Sequence, residues 1–193
     1  MKIYGDRISG NCLKVRRTAD LVGLEYDWVD VDILAGETRT AEFLAINPAG
    51  QVPAVVLSDG RALAQSNAII RFLAAGSALL PDDPFEQALV DEWLFWEQYS
   101  HEPYVAVCRF QMLYLGKSAG EREPFRVERG DSALDHLDAS LSDRSYLTGS
   151  SFTIADIALH AYTSLAHEGG FDLSGREHVR AWLDRCEGQL QAA

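Results

Sequence analysis

Along the first eighty residues the apolar positions switch between two-residue and helical spacing, which predicts strands and helices in alternation. "KIY" (2–4) reads as a short strand. Cys12, Val15, Ala19 and Val22 fall at helical spacing within 11–23, and Gly23 supplies a stop. "YDWVDVDI" (26–33) places Tyr26, Trp28, Val29, Val31 and Ile33 as in a partly buried strand. "RTAEFLAIN" (39–47) predicts a short helix ended by Asn47-Pro48. "AVVLSDGRALA" (54–64) predicts two strands joined at Asp59-Gly60, and "SNAIIRFLAA" (66–75) a helix capped by its serine. The order βαβαββα, with one right-handed crossover and one hairpin, makes a small mixed sheet covered by helices.

The texture then changes. "GSALLPDDP" (76–84) concentrates Gly, Ser, Pro and Asp as a linker does. From Phe85 the patterns are helical throughout: 85–115, 122–142, 153–167 and 176–189, separated by Gly-containing breaks. The expected organisation is an α/β domain over 1–76, a linker over 77–84 and an all-α helical bundle over 85–193. Internal repeats and low-complexity segments are absent from the sequence.

Composition narrows the function classes. Seventeen basic against 29 acidic side chains give a formal net charge of −12. That argues against binding a phosphate backbone, so no nucleic-acid partner is expected. Cys12, Cys108 and Cys186 are far apart, with neither a C-x-x-C pair nor zinc-like spacing, which suggests a reducing compartment and implies no metal. The opening "MKIYGDRISG" has no apolar leader core, and no stretch approaches ~18 apolar residues. A cytoplasmic protein without a membrane partner is the expectation.

Three stretches carry candidate chemistry. In "SGNCLKVR" (9–16), a serine, a glycine, an asparagine and a cysteine crowd together where a helix begins. Free backbone N–H groups at a helix start favour an anion, whereas Ser9 or Asn11 simply capping the helix is the plainer alternative. Cys12 is open to a nucleophile reading because a helix start lowers a thiol pKa. Its place on the apolar stripe with Val15 and Ala19 favours packing. "NPAGQVPAV" (47–55) sets Val52-Pro53 at a strand start. A cis bond there would turn the Val52 backbone outward to pair with an extended peptide; a trans strand start is the alternative. "AQSNAII" (64–70) offers Gln65 and Ser66 at another helix start, either as a carboxylate seat or as a cap.

Together these stretches resemble the glutathione site of the cytosolic glutathione transferases, on their thioredoxin-like N-terminal domain. The resemblance covers nearly the whole chain and rests on "SGNCLKVR", "FLAINPAGQVPAV", "QSNAIIRFL" and "GSSFTIADIAL", in that order. It implies a thioredoxin-like α/β domain followed by a helical domain, with glutathione as co-substrate. Ser9 would donate to the glutathione thiolate, as in theta- and zeta-like members. Asn11 lies near the position where beta-like members use cysteine, and its amide can also donate. Val52, with Pro53 beside it, would pair with the cysteinyl backbone, Gln65 and Ser66 would hold the γ-glutamyl end, and Arg39 the glycyl carboxylate. Several relatives carry histidine where Thr38 stands, a departure at the glycyl end. No tyrosine occupies the position expected of the tyrosine-type classes. Thr153 and Asp156 match the family's N-capping box and are assigned to folding.

In "DEWLFWEQYSHEPYVAVCRFQMLYLG" (91–116), Trp93, Trp96, Tyr99, Tyr104, Phe110 and Tyr114 cannot all face one narrow core stripe. The family's corresponding helix lines an apolar pocket for the acceptor. Tyr104, Val107 and Arg109 are the expected lining, with Arg109 meeting an anionic or carbonyl-bearing acceptor. His101 and Glu102, before Pro103, are expected at a kink, in a solvated turn, with acceptor-site groups as the alternative. The resemblance further implies a small hydrophobic electrophile as second substrate and a homodimer. Competing readings are a glutathione-dependent disulfide or peroxide reductase and a non-catalytic binding protein.

Overall fold

The computed structural model describes residues 1–191, which fall into two compact units, Met1–Ser77 and a second beginning at Ala78. The last two positions of the expected helical domain lie outside the described residues.

The first unit is built on four strands: β1 (Lys2–Gly5), β2 (Asp27–Asp30), β3 (Ala54–Val56) and β4 (Ala62–Ala64). Their order is β2-β1-β3-β4, parallel between β1 and β2 and antiparallel elsewhere. Helices α1 (Gly10–Leu21), α2 (Ala41–Ile46) and α3 (Ser66–Leu73) complete the βαβαββα order. Strand alternation divides the core between the two faces. Tyr4 and Ala54, paired across β1 and β3, join Val31, Phe43, Ile46 and Val52 under α2. The opposite face carries Ile3, Val55 and Gly5, where a methyl on Gly5 would collide with the Trp28 ring and the Cys12 sulfur of α1.

The elements that differ from expectation do so for local reasons. Strand β2 stops at Asp30, not Ile33, because β1 is four residues long and offers no ladder partner beyond Gly5. The chain instead turns through Gly36 (φ 79°) and a 3₁₀ turn at Glu37–Arg39, and Thr40 caps α2 by accepting from the Phe43 N–H (3.2 Å). The serine at the head of α3 is not its cap. Gln65 is, with φ 71°, and Ser66 is the first helical residue.

The second unit is helical: α4 (Pro84–Trp96), α5 (Glu102–Leu113), α6 (Pro124–Ser140), α7 (Ile154–Thr163) and α8 (Glu177–Leu190). The single run expected over 85–115 is divided by a π-helical turn at Glu97–His101. Pro103 has no N–H to return to the preceding turn, which gives the bulge its cause. His101 is fully buried, with a ring nitrogen 3.1 Å from the Thr163 hydroxyl, so the expected solvated turn there is wrong. Val105, Ala106, Cys108, Leu134, Tyr162, Ala166 and Phe171 form a core cluster. Gly130 of α6 admits the Phe171 ring, which an added methyl would meet at 2.5 Å.

Helix α7 is buried along its whole length, as a central helix must be. Its start is the capping box: Thr153 Oγ1 accepts from the Ala155 N–H, and Asp156 Oδ2 accepts from the Thr153 N–H (2.9 Å). Asp156 also reaches outside the box. Its Oδ1 accepts from the Leu147 N–H (3.0 Å) and the Trp182 indole (2.9 Å). Burial pushes this carboxyl's pKa up, and the four donors around it pull it back.

Candidate active site

The sheet register gathers the candidate residues of the first unit at one end. Tyr4 pairs with Ala54, and Ala54 with Ala64. The loop that leads to Ser9, the Val52-Pro53 bond entering β3 and the start of α3 after β4 therefore lie at the same end of the sheet. Two helix N-termini, those of α1 and α3, therefore open at the same end of the sheet. Neither has an acidic residue in its first turn, where a helix carries partial positive charge.

Ser9 is the N-cap of α1, its Oγ accepting from the Cys12 N–H at 3.4 Å. The hydroxyl keeps its own proton to donate, and the same side chain also interacts with the Cys12 sulfur, which draws that thiol's pKa down against burial. Asn11 is half-buried, and its Oδ1 accepts from the Ser66 hydroxyl at 2.9 Å. That bond uses the amide oxygen of Asn11, whose NH₂ group is a donor. It also commits the Ser66 hydroxyl. What Ser66 offers a carboxylate is its backbone N–H, one of the donors that a helix start leaves without an intrahelical partner.

Val52-Pro53 is cis, with Val52 half-buried and Pro53 buried. Gln65 is exposed, in a backbone conformation that a residue with a side chain adopts at a cost of about 1–3 kcal/mol. Asn47 shapes the turn before Val52, donating to the Gln51 carbonyl (2.7 Å) and accepting from the Ala49 N–H (3.1 Å). Arg39 is exposed and lies on this turn. Its Nη1 donates to the Ala49 carbonyl (3.3 Å), and a methyl on Gly50 (φ 63°) would come within 2.4 Å of it. Thr38 is buried, so of this adjacent pair Arg39 is the one that faces solvent.

Cys12 is fully buried, and its thiol is pushed by burial up to about 11. At neutral pH roughly one such thiol in ten thousand is ionised. A reactive sulfur at this site would have to come from a ligand.

In the helical unit the three acceptor candidates do not converge. Tyr104 and Val107 are half-buried, whereas Arg109 is buried and its Nε is 2.6 Å from Glu168 Oε2. Five residues along a helix amount to a rotation of about 140°, so Arg109 lies on a different face from Tyr104. The Arg109 guanidinium is instead paired with Glu168 inside this unit. Tyr104 accepts from Arg129 (3.3 Å) and, with Trp96, Tyr99, Ser100 and His136, lines a shallow cavity of about 210 Å³ that neither Val107 nor Arg109 borders.

The sequence reading passed over Lys14. It is fully buried, with its ammonium 3.4 Å from Asn67 Oδ1 on α3. The available signal was its spacing: Lys14 stands three residues after Asn11, on the same helical face.

Among the described residues no three His, Cys, Asp or Glu side chains cluster so as to hold a metal ion, and no helix is long and apolar enough to cross a membrane. Residues 8–75 match the glutathione S-transferase N-terminal domain and residues 119–185 the C-terminal domain. The chain belongs to the glutathione S-transferase family. It is 33% identical to glutathione S-transferase 3 of Zea mays, over 95% of this chain and 87% of that protein. It is 50% identical to a glutathione S-transferase of Pseudomonas fluorescens Pf-5, whose crystal structure matches with a TM-score of 0.92 over 95% of this chain and 92% of that one. A maleylacetoacetate isomerase of Methylobacterium extorquens AM1, solved with bound malonate and glutathione, is 26% identical with a TM-score of 0.83, covering 99% of this chain and 94% of that one.

Proposed function

We propose that this glutathione transferase binds glutathione at the sheet end where α1 and α3 begin, holds its sulfur as the thiolate and adds it to a small hydrophobic electrophile. Family membership carries the reaction class. The observation that carries the site is the Asn11–Ser66 hydrogen bond, which joins the two helix starts. The Val52 backbone would pair with the cysteinyl unit, the starts of α3 at Gln65 and Ser66 would seat the γ-glutamyl carboxylate, and Arg39 would meet the glycyl carboxylate. Tyr104 and Val107 are retained as acceptor contacts, and a homodimer is the proposed assembly.

The magnitudes suffice. Lowering a thiol from about 8.5 by two units needs about 2.7 kcal/mol. A helix start supplies roughly 0.3–1 kcal/mol, and each hydrogen bond to a charged sulfur about 1.5–3 kcal/mol. Ser9 and Asn11 together with the α1 terminus cover the requirement, and neither side chain need do so alone. The thiol proton leaves to solvent, sulfur bonds to the electrophilic carbon, and with a chloronitroaromatic acceptor the carbon–chlorine bond breaks and chloride departs.

Calorimetric titration with glutathione, the ultraviolet absorbance of the bound thiolate and turnover of a chloronitroaromatic test this reading. Binding, a bound-thiol pKa well below that of free glutathione and conjugation are expected. Absence of binding at millimolar glutathione would leave a non-catalytic binding protein instead. Binding with faster reduction of a model disulfide or hydroperoxide than conjugation would favour the reductase.

A further inference from the structure

We propose that Arg7 is a positioning residue for the reaction, its fork onto Asp30 holding the short loop that carries the Ser9 hydroxyl to the glutathione sulfur. The proposal rests on the glutathione reading above. The ladder between β1 and the edge strand β2 ends at Gly5 and Asp30, and the chain passes through Asp6, Arg7 and Ile8 before Ser9 caps α1. Arg7 carries the link beyond the ladder: its Nε lies 2.8 Å from Asp30 Oδ1, and its Nη2 donates to Oδ2 at 3.0 Å. The Trp28 indole N–H donates to the same Oδ1 at 2.7 Å, and the guanidinium lies 5.7 Å from the centre of the Trp28 ring. That ring packs where Gly5 has no side chain. Two residues of β2 thus hold one loop side chain by a planar fork and a ring face, which sets its orientation as well as its position.

The hold on Arg7 reaches Ser9 through the backbone. The Asp6 N–H donates to Cys12 Sγ at 3.4 Å, its Oδ1 accepts from the Ile8 N–H at 2.9 Å, and its carbonyl accepts from the Ser9 N–H at 3.2 Å. Loop and first turn of α1 are therefore tied into one piece, and Arg7 pins that piece to β2. For stability the pair counts for little, since its side chains are 59% and 61% exposed and water screens their attraction. For the reaction it counts for more, because a hydrogen bond to sulfur weakens steeply as its donor is displaced or tilted. A contact that adds little to folding yet restrains the donor belongs to the site.

A double-variant cycle between Arg7 and Ser9 tests this, read by conjugation of glutathione to a chloronitroaromatic, by the ultraviolet absorbance of the bound thiolate and by thermal melting. Arg7→Met should lower kcat/KM about fivefold, less than the roughly tenfold expected of Ser9→Ala, and should raise the pKa of the bound thiol. The glutathione Kd should stay within about twofold and the melting temperature within about 2 °C of wild type. In the Ser9→Ala background the same substitution should change nothing further, because no hydroxyl remains to be displaced. Arg7→Lys, a point charge without the fork, should recover only part of the rate. Asp30→Ala should match Arg7→Met, and carries the cycle should Arg7→Met fail to fold. Wild-type kcat/KM in both Arg7→Met and Asp30→Ala, or a loss that persists undiminished in the Ser9→Ala background, would overturn the role of Arg7 alone. Wild-type kcat/KM in Ser9→Ala would remove the donor and this role together. A wild-type protein that neither bound glutathione nor conjugated the acceptor would overturn the glutathione reading and this proposal with it.

Discussion

Replacing Asp156 with alanine removes one acceptor that serves four donors. The N-capping role accounts for only part of the loss: a cap residue is worth about 0.5–2 kcal/mol. The carboxylate is fully buried, and besides the Thr153 N–H and hydroxyl it satisfies the Leu147 N–H and the Trp182 indole N–H. The Thr153 hydroxyl can turn to another acceptor, but three N–H groups would be left buried and unpaired, at about 1–3 kcal/mol each. Partial relaxation offsets the upper end, which leaves an expected loss of about 3–6 kcal/mol, a large share of the ~5–15 kcal/mol typical of a folded protein. Asp156→Asn keeps one acceptor and should lose roughly half as much. Thr153→Ala removes the cap and the hydroxyl donor to Asp156 but leaves the three N–H donors paired, and should lose about 1 kcal/mol. Urea unfolding with constant m-values measures all three, and turnover per folded molecule should be unchanged in each. A loss in Asp156→Ala no greater than in Thr153→Ala would refute the reasoning, because the contacts to Leu147 and Trp182 would then contribute nothing.

Ser9→Ala should lower kcat/KM about tenfold with glutathione binding retained, Asn11→Ala should act similarly, and the double variant should lose more than a hundredfold; a mild double variant in the same assay would remove both donors from the mechanism. The Cys12 thiol is raised in the folded state from 9.0 to about 11, so the folded protein holds its proton more tightly than the unfolded chain does. The stability this gives is present below pH 9 and lost as the pH rises through about 11, a total of about 3 kcal/mol. Cys12→Ala should lack that loss, which denaturant unfolding at pH 8 and pH 11 would register. Arg109→Met should cost about 1–2 kcal/mol by breaking the pair with Glu168, whose side chain is 32% exposed and therefore partly screened. The KM for the electrophile should stay within twofold; a tenfold rise at unchanged melting temperature would return Arg109 to the acceptor site.

The order of elements was legible because it depends on local pattern. The α1 stripe at Cys12, Val15 and Ala19, the Asp59-Gly60 turn and the Thr153–Asp156 box each announce themselves within about ten residues, and each occurs in the structure where the pattern sets it. Element limits were less legible. The length of β2 is set by β1, a partner twenty-five residues away, and the break at Glu97–His101 depends on how Pro103 and the buried His101 ring are accommodated. Arg109 shows the same limit for function. A cation among aromatics suits an acceptor pocket as well as it suits a buried ion pair, and only the position of Glu168, fifty-nine residues later, decides between them.

By itself the sequence determined the βαβαββα unit with its helical sequel, the family, and the candidate stretches that carry Ser9, Asn11, Val52, Gln65 and Ser66, since propensity, capping and turn chemistry act between near neighbours. Tertiary structure alone decided which polar groups meet: Asn11 with Ser66, Lys14 with Asn67, Asp156 with Trp182 and Arg109 with Glu168. The physical reason is that a buried polar side chain takes whichever partner packing brings within about 3 Å, and sequence spacing does not encode that distance.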